Sequence, residues 1–90
     1  MLLDEYTKLR DELIEINPDI IFFDGLEDAL IGICRRFNQP PVALYDYDKC
    51  IEILLEDGGS YNEVIEHLET NVLGTWVGEN TPAFFKRTEE

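Results

Sequence analysis

The chain predicts an α+β domain: an N-terminal helix, a β-hairpin, two helices and a final strand, the strands forming a small antiparallel sheet with helices on one face. Three observations lead there. Apolar residues at positions 2, 6, 9, 13 and 16 recur at steps of 3 and 4, the spacing of an amphipathic helix. Two apolar runs, 29–37 and 42–47, flank the short breaker Asn38-Gln39-Pro40-Pro41, as in a hairpin. Two further helical stripes follow, divided by Gly58-Gly59. Ninety residues, 44% of them hydrophobic, make a single domain with a modest core.

Residues 1–17 carry the first helix. Asp4, Glu5, Asp11, Glu12 and Glu15 fill the faces beside its apolar stripe. Asn17-Pro18 ends it, because a residue before proline is pushed out of the α region. The stripe either packs on its own domain or makes a homodimer seam through residues 2–16. Residues 20–23 are a short apolar run before the Asp24-Gly25 turn, a strand or a buried connector.

The body spans residues 18–87. Within it, 29–37 fits two periods. Period two puts Ile31, Ile33 and Phe37 on one face. Period 3.6 groups Leu26, Leu30, Ile33 and Phe37, with Asp24 and Glu27 resembling a capping box. Gly32 in mid-run would weaken a helix by about 1 kcal/mol, which favours the strand. Asp48 is the expected N-cap of a helix through Glu56, with Cys50, Ile51, Leu54 and Leu55 inward and Glu52, Glu56 and Asp57 outward. Ser60-x-x-Glu63 is a capping box for the next helix. Its stripe is Tyr61, Val64, Ile65, Leu68, Val72 and Leu73, and Glu63, Glu66 and Glu69 form its acidic edge. Trp76, between Gly74 and Gly78, closes the core from a loop or, if exposed, anchors a contact. Residues 83–86 read as the last strand and 88–90 as a frayed tail.

Charge narrows the function. Twenty Asp and Glu against seven Lys and Arg give a net charge of −13 and a pI near 4.2. Such a chain is not built to grip a nucleic-acid backbone directly, nor an anionic membrane surface. Acids stand where a secretory leader would be basic, so the expected location is the cytoplasm, with Cys34 and Cys50 as free thiols. Between Asn38 and Phe85, nine carboxylates face Lys49 alone. On a helix, Glu52 and Glu56 stand about 6 Å apart along the axis. Two such edges side by side would present negative charge as DNA does. The expected partner surface is therefore Glu52, Glu56, Asp57, Glu63, Glu66 and Glu69, offered to a basic, nucleic-acid-binding protein. The bland alternative is a solvated face.

Four of the seven cations form two pairs at proposed strand ends, Arg35-Arg36 and Lys86-Arg87. On neighbouring strands they would make a basic spot able to hold a phosphate-bearing nucleotide. Otherwise each pair is neutralised by nearby carboxylates. No enzyme, cofactor or metal site is expected. His67 is the only histidine and lies on a Glu-edged helix. Cys50 falls in an apolar register. Asp46 and Asp48 of YDYD are too few oxygens for calcium.

The stretch ALIGICRRFNQPPVALYDYDKCIEILLEDGGSYNEVIEHLETNVLGTWVGENTPAFF resembles a group of small proteins of tailed bacteriophages and some bacterial genomes. The shared marks are YDYDKCIEIL, a helix ending in N-x-x-G, and a closing WVGE-TPAF segment, and the resemblance covers residues 24–85. Gly58-Gly59-Ser60 stands where the group often reads Asp-Gly-Met. The resemblance implies a phage origin and the host-cell cytoplasm, and it carries over no catalytic residue. By analogy with other small acidic phage proteins, the expectation is an inhibitor of a cationic host protein, as a DNA mimic or an anti-defence protein. The alternatives are the nucleotide-binding module and a structural homodimer.

Overall fold

The computed structural model describes residues 3–73, 78–86 and 88. The order is α1 (Leu3–Ile16), a 3-10 turn (Glu27–Ala29), β1 (Leu30–Arg36), β2 (Gln39–Asp46), α2 (Tyr47–Glu56), α3 (Tyr61–His67) and β3 (Ala83–Phe85). The fold is α+β, as its sequence pattern predicts. Trp76, Gly74, Arg87 and most of the 88–90 tail lie outside the described residues.

The stripe of α1 turns inward. Leu13 is buried, and Tyr6, Leu9 and Ile14 pack half-buried against the same core, while Ile16 stays exposed. The apolar seam is thus used within the chain. Residues 20–23 form a connector: Ile20 is buried and Phe23 packs on Tyr45, with ring centroids 5.4 Å apart. The Phe23 backbone N–H donates to the Tyr45 hydroxyl at 2.8 Å, so the one polar atom of a fully buried ring is satisfied.

The sheet corrects the sequence expectation. Its order is β1-β2-β3, and β1 pairs antiparallel with β2. β3, however, runs parallel to β2, Leu44 opposite Ala83 and Asp46 opposite Phe85, so the sheet is mixed. Parallel strands need a long crossover, which α2 and α3 supply.

Two bulges break the simple alternation. Ile31 is an extra residue on β1 between the Leu30–Tyr45 and Gly32–Leu44 pairs. The phase shift puts Leu30 and Ile33 on the core side and leaves Ile31 exposed, so Ile31, Ile33 and Phe37 do not share a face. The second bulge lies between the Cys34–Val42 and Arg36–Gln39 pairs, where Pro40 and Pro41 oppose Arg35 alone. The prolines expected in a loop thus sit inside β2, at a point where no ladder N–H is required. The turn shrinks to Phe37-Asn38, with Asn38 left-handed at φ 58° and Phe37 92% exposed.

Asp46, not Asp48, caps α2: its carboxylate accepts from the Lys49 N–H at 3.3 Å. The strand ends one residue earlier than the apolar run 42–47 suggests, and the aspartate at that boundary becomes the cap. Asp48 instead pairs with Lys86 at 3.1 Å. Ser60 caps α3 as predicted, accepting from the Glu63 N–H at 3.3 Å. Beyond His67 the helix relaxes into a π-helical turn, Leu68–Leu73.

Candidate functional site

α2 ends at Glu56, and the Gly58 N–H donates to the Leu55 carbonyl at 3.1 Å. Gly58 and Gly59 then take φ of 106° and 99°, values that L side chains rarely adopt. The chain reverses there, and the Ser60 cap starts α3 at once. The reversal leaves a hollow of about 250 Å³ between Leu54 and Asp57 on one side and Glu63, Val64 and His67 on the other. A second hollow of about 250 Å³ adjoins it along Glu63, Glu66, His67 and Thr70. A third, about 200 Å³, shares Leu54, Asp57 and His67 with the first and reaches Phe23, Asp24 and Leu26. All three have His67 in their lining, and we call them together the acidic groove region.

Four carboxylates line it: Asp24, Asp57, Glu63 and Glu66. No Lys or Arg does. Lys49 pairs with Glu52 at 3.4 Å and Lys86 with Asp48 at 3.1 Å, both away from the groove. The floor is apolar, with half-buried Leu54 and Phe23 beside buried Val64 and Leu26.

The six predicted acids are all exposed, but they do not act as one set. Asp57, Glu63 and Glu66 line the groove. Glu52 is held by Lys49. Glu69 accepts from the Tyr47 hydroxyl at 3.0 Å, and Lys86 lies 4.8 Å above the Tyr47 ring. Burial, then that carboxylate, raise the Tyr47 pKa. Glu56 is exposed at the end of α2 without lining a hollow. Carboxylates also stud α1, where Asp4, Glu5, Asp11, Glu12 and Glu15 are exposed. Asp24 was missed as a site residue by sequence reasoning, since it reads as half of a turn or of a capping box and lies far from Asp57 along the chain.

Arg36 and Lys86, one from each basic pair, do not meet, and Arg87 lies outside the described residues. Arg36 pairs with Gln39 at the start of β2, whereas Phe85, next to Lys86, pairs with Asp46 at its end. Those ends are seven residues apart along β2, about 23 Å of strand. Arg36 Nη2 is also engaged, donating to the Pro40 carbonyl at 2.8 Å and the Glu79 carbonyl at 2.6 Å, while Nε is buried without a hydrogen-bond partner. Arg35 is exposed and Lys86 is paired with Asp48.

Cys50 is fully buried, and desolvation pushes its thiol up to about 11, which suits packing and not nucleophilic attack. Cys34 is half-buried, and both thiols are free. Among the described residues no group of three His, Cys, Asp or Glu side chains is placed to hold a metal, and no helix is long and apolar enough to cross a membrane. No protein family, curated protein or solved structure matches the chain.

Proposed function

We propose that this chain is a non-enzymatic binding protein that presents a carboxylate-lined surface to a cationic partner, of the kind that itself binds nucleic acid. The observation that carries this reading is the groove region: Asp24, Asp57, Glu63 and Glu66 line three hollows that share His67, and among the described residues no lysine or arginine lines any of them. Negative charge so placed speeds encounter with a basic surface and makes it salt-dependent. A phage-encoded inhibitor of a host nuclease or polymerase, acting as a DNA decoy, is the specific form proposed. It acts in the host cytoplasm and needs no cofactor.

The experiment is a pull-down from bacterial lysate at low and high salt with the wild type and the Asp57→Asn/Glu63→Gln/Glu66→Gln variant. Retention of a basic protein at low salt, lost both in high salt and with the variant, supports the reading. Equal retention by the two proteins refutes it. The nucleotide-binding alternative has less support, because Arg36 is engaged with carbonyls and Lys86 sits at the opposite end of β2.

A further inference from the structure

The groove carries more than charge. We propose that it is a docking slot for a short segment of the partner in which an arginine or lysine stands next to an aliphatic or aromatic side chain. This rests on the acidic-surface reading above and narrows it.

Carboxylates alone could be solvated or imitate a phosphate row; on this chain they stand beside apolar side chains that pack on the core and are left partly uncovered by it. Here Leu54 and Phe23 are half-buried beneath a rim of carboxylates. The two surface types ask different things of an occupant. The rim, with Asp57 and Glu63 on facing sides of the first hollow, requires a cation, and it repels neutral-to-acidic segments by leaving their acids unpaired. The floor requires apolar contact. An arginine meets both at once: its stem lies on Leu54 while the guanidinium reaches a carboxylate with paired hydrogen bonds. A neighbouring leucine or phenylalanine then fills the branch toward Phe23. The slot is also built before binding. Left-handed Gly58 and Gly59 set the reversal, and Ser60 and Glu63 lock it by reciprocal bonds of 3.3 Å. Little ordering remains to be done when the occupant arrives.

The test uses the full chain and three fluorescein-labelled peptides: alternating Arg/Leu, alternating Arg/Gly of equal charge, and alternating Gln/Leu. Binding is read by anisotropy at low salt. The Arg/Leu peptide is expected to bind at least about tenfold more tightly than either of the others, about 1.4 kcal/mol. Asp57→Asn/Glu66→Gln, with unchanged circular dichroism, should cost that peptide about tenfold, whereas Glu5→Gln/Glu12→Gln on α1, an equal change of charge, should cost it less than twofold. Equal binding of Arg/Leu and Arg/Gly overturns the slot but leaves the acidic-surface reading standing, which falls only with the pull-down. An equal loss from the α1 variant also overturns it. The remaining occupant is a second copy, whose exposed Phe37 and Arg35 carry the same chemistry. Concentration-dependent mass in sedimentation, abolished by Phe37→Ser, would assign the groove to self-association and overturn the proposal.

Discussion

Asn17 is the buried polar residue on which three segments converge, and its replacement by alanine is the sharpest test of the fold. The side chain is 7% exposed. Its amide donates to the Pro41 carbonyl at 2.8 Å and to Asn80 Oδ1 at 2.9 Å, and its oxygen accepts from the Asp19 N–H at 3.1 Å. One residue thereby ties the end of α1 to the bulge of β2 and to the 78–81 turn. Three bonds at about 1 kcal/mol each put the loss near 3 kcal/mol. Water reaching the partly buried partners lowers it and stranded acceptors raise it, so the expected range is about 2–4 kcal/mol. A domain of this length holds roughly 5–13 kcal/mol in all. The urea midpoint should therefore fall substantially at constant slope, and Tm by about 10–25 °C. Asn17→Asp keeps the acceptor for Asp19 but loses both donations, and it should be weaker than wild type at pH 7 and recover in part as the new carboxyl protonates. A change below about 0.5 kcal/mol for Asn17→Ala, the scale of an ordinary surface substitution, would refute the claim that these bonds hold the three segments.

Three further outcomes follow from the same geometry. Ser60→Ala removes the α3 cap and should cost about 1 kcal/mol in urea melts, with Ser60→Asp restoring most of it. Burial raises Cys50 from 9.0 to about 11 and Tyr45 from 10.0 to about 12, so the folded state favours their neutral forms. That stability is complete below pH 9 and drains away as pH climbs toward 11 and 12; alkaline titration by circular dichroism should show it, and Cys50→Ala should remove the lower part of the pH dependence. A disulfide exchange reagent at pH 8 should modify Cys34 first and Cys50 only at the rate of unfolding; equal rates would contradict the burial of Cys50.

How much of this was legible in the sequence depended on how local each cause is. α1 and the Ser60 cap rest on signals a few residues long, and both stand where the pattern places them. The strand reading of 29–37 was also sound, because Gly32 argues against a helix on local grounds. The bulges were not legible: an extra residue is tolerated on β1 only because of what lies across the ladder. Asp46 and Asp48 are chemically equal as caps, and the end of β2 chooses between them. The basic pairs show the same limit on a larger scale. Had β3 run antiparallel over the same β2 residues, Lys86 would follow on toward the Gln39 end that Arg36 faces; the parallel pairing sends it the other way, past Asp46. Direction of a strand is not written in its three residues. The outward acids Asp57, Glu63 and Glu66 were readable from periodicity, but the Leu54 floor and the arrival of Asp24 needed the tertiary fold.

The crossover to β3 has a kinetic consequence. The β1–β2 hairpin closes over two residues, Phe37 and Asn38, whereas Leu44 meets Ala83 only after 38 intervening residues are gathered in. For flexible loops that difference amounts to about 2–3 kcal/mol of extra closure entropy. The hairpin and the α2–α3 reversal should accordingly assemble early, with the third strand docking last. Until it docks, the outer edge of β2 from Leu44 to Asp46 lies bare, and Tyr45 lacks the Phe84 ring that stands 6.0 Å from its own. Slow refolding phases and clumping at high concentration should both trace to that unfinished edge.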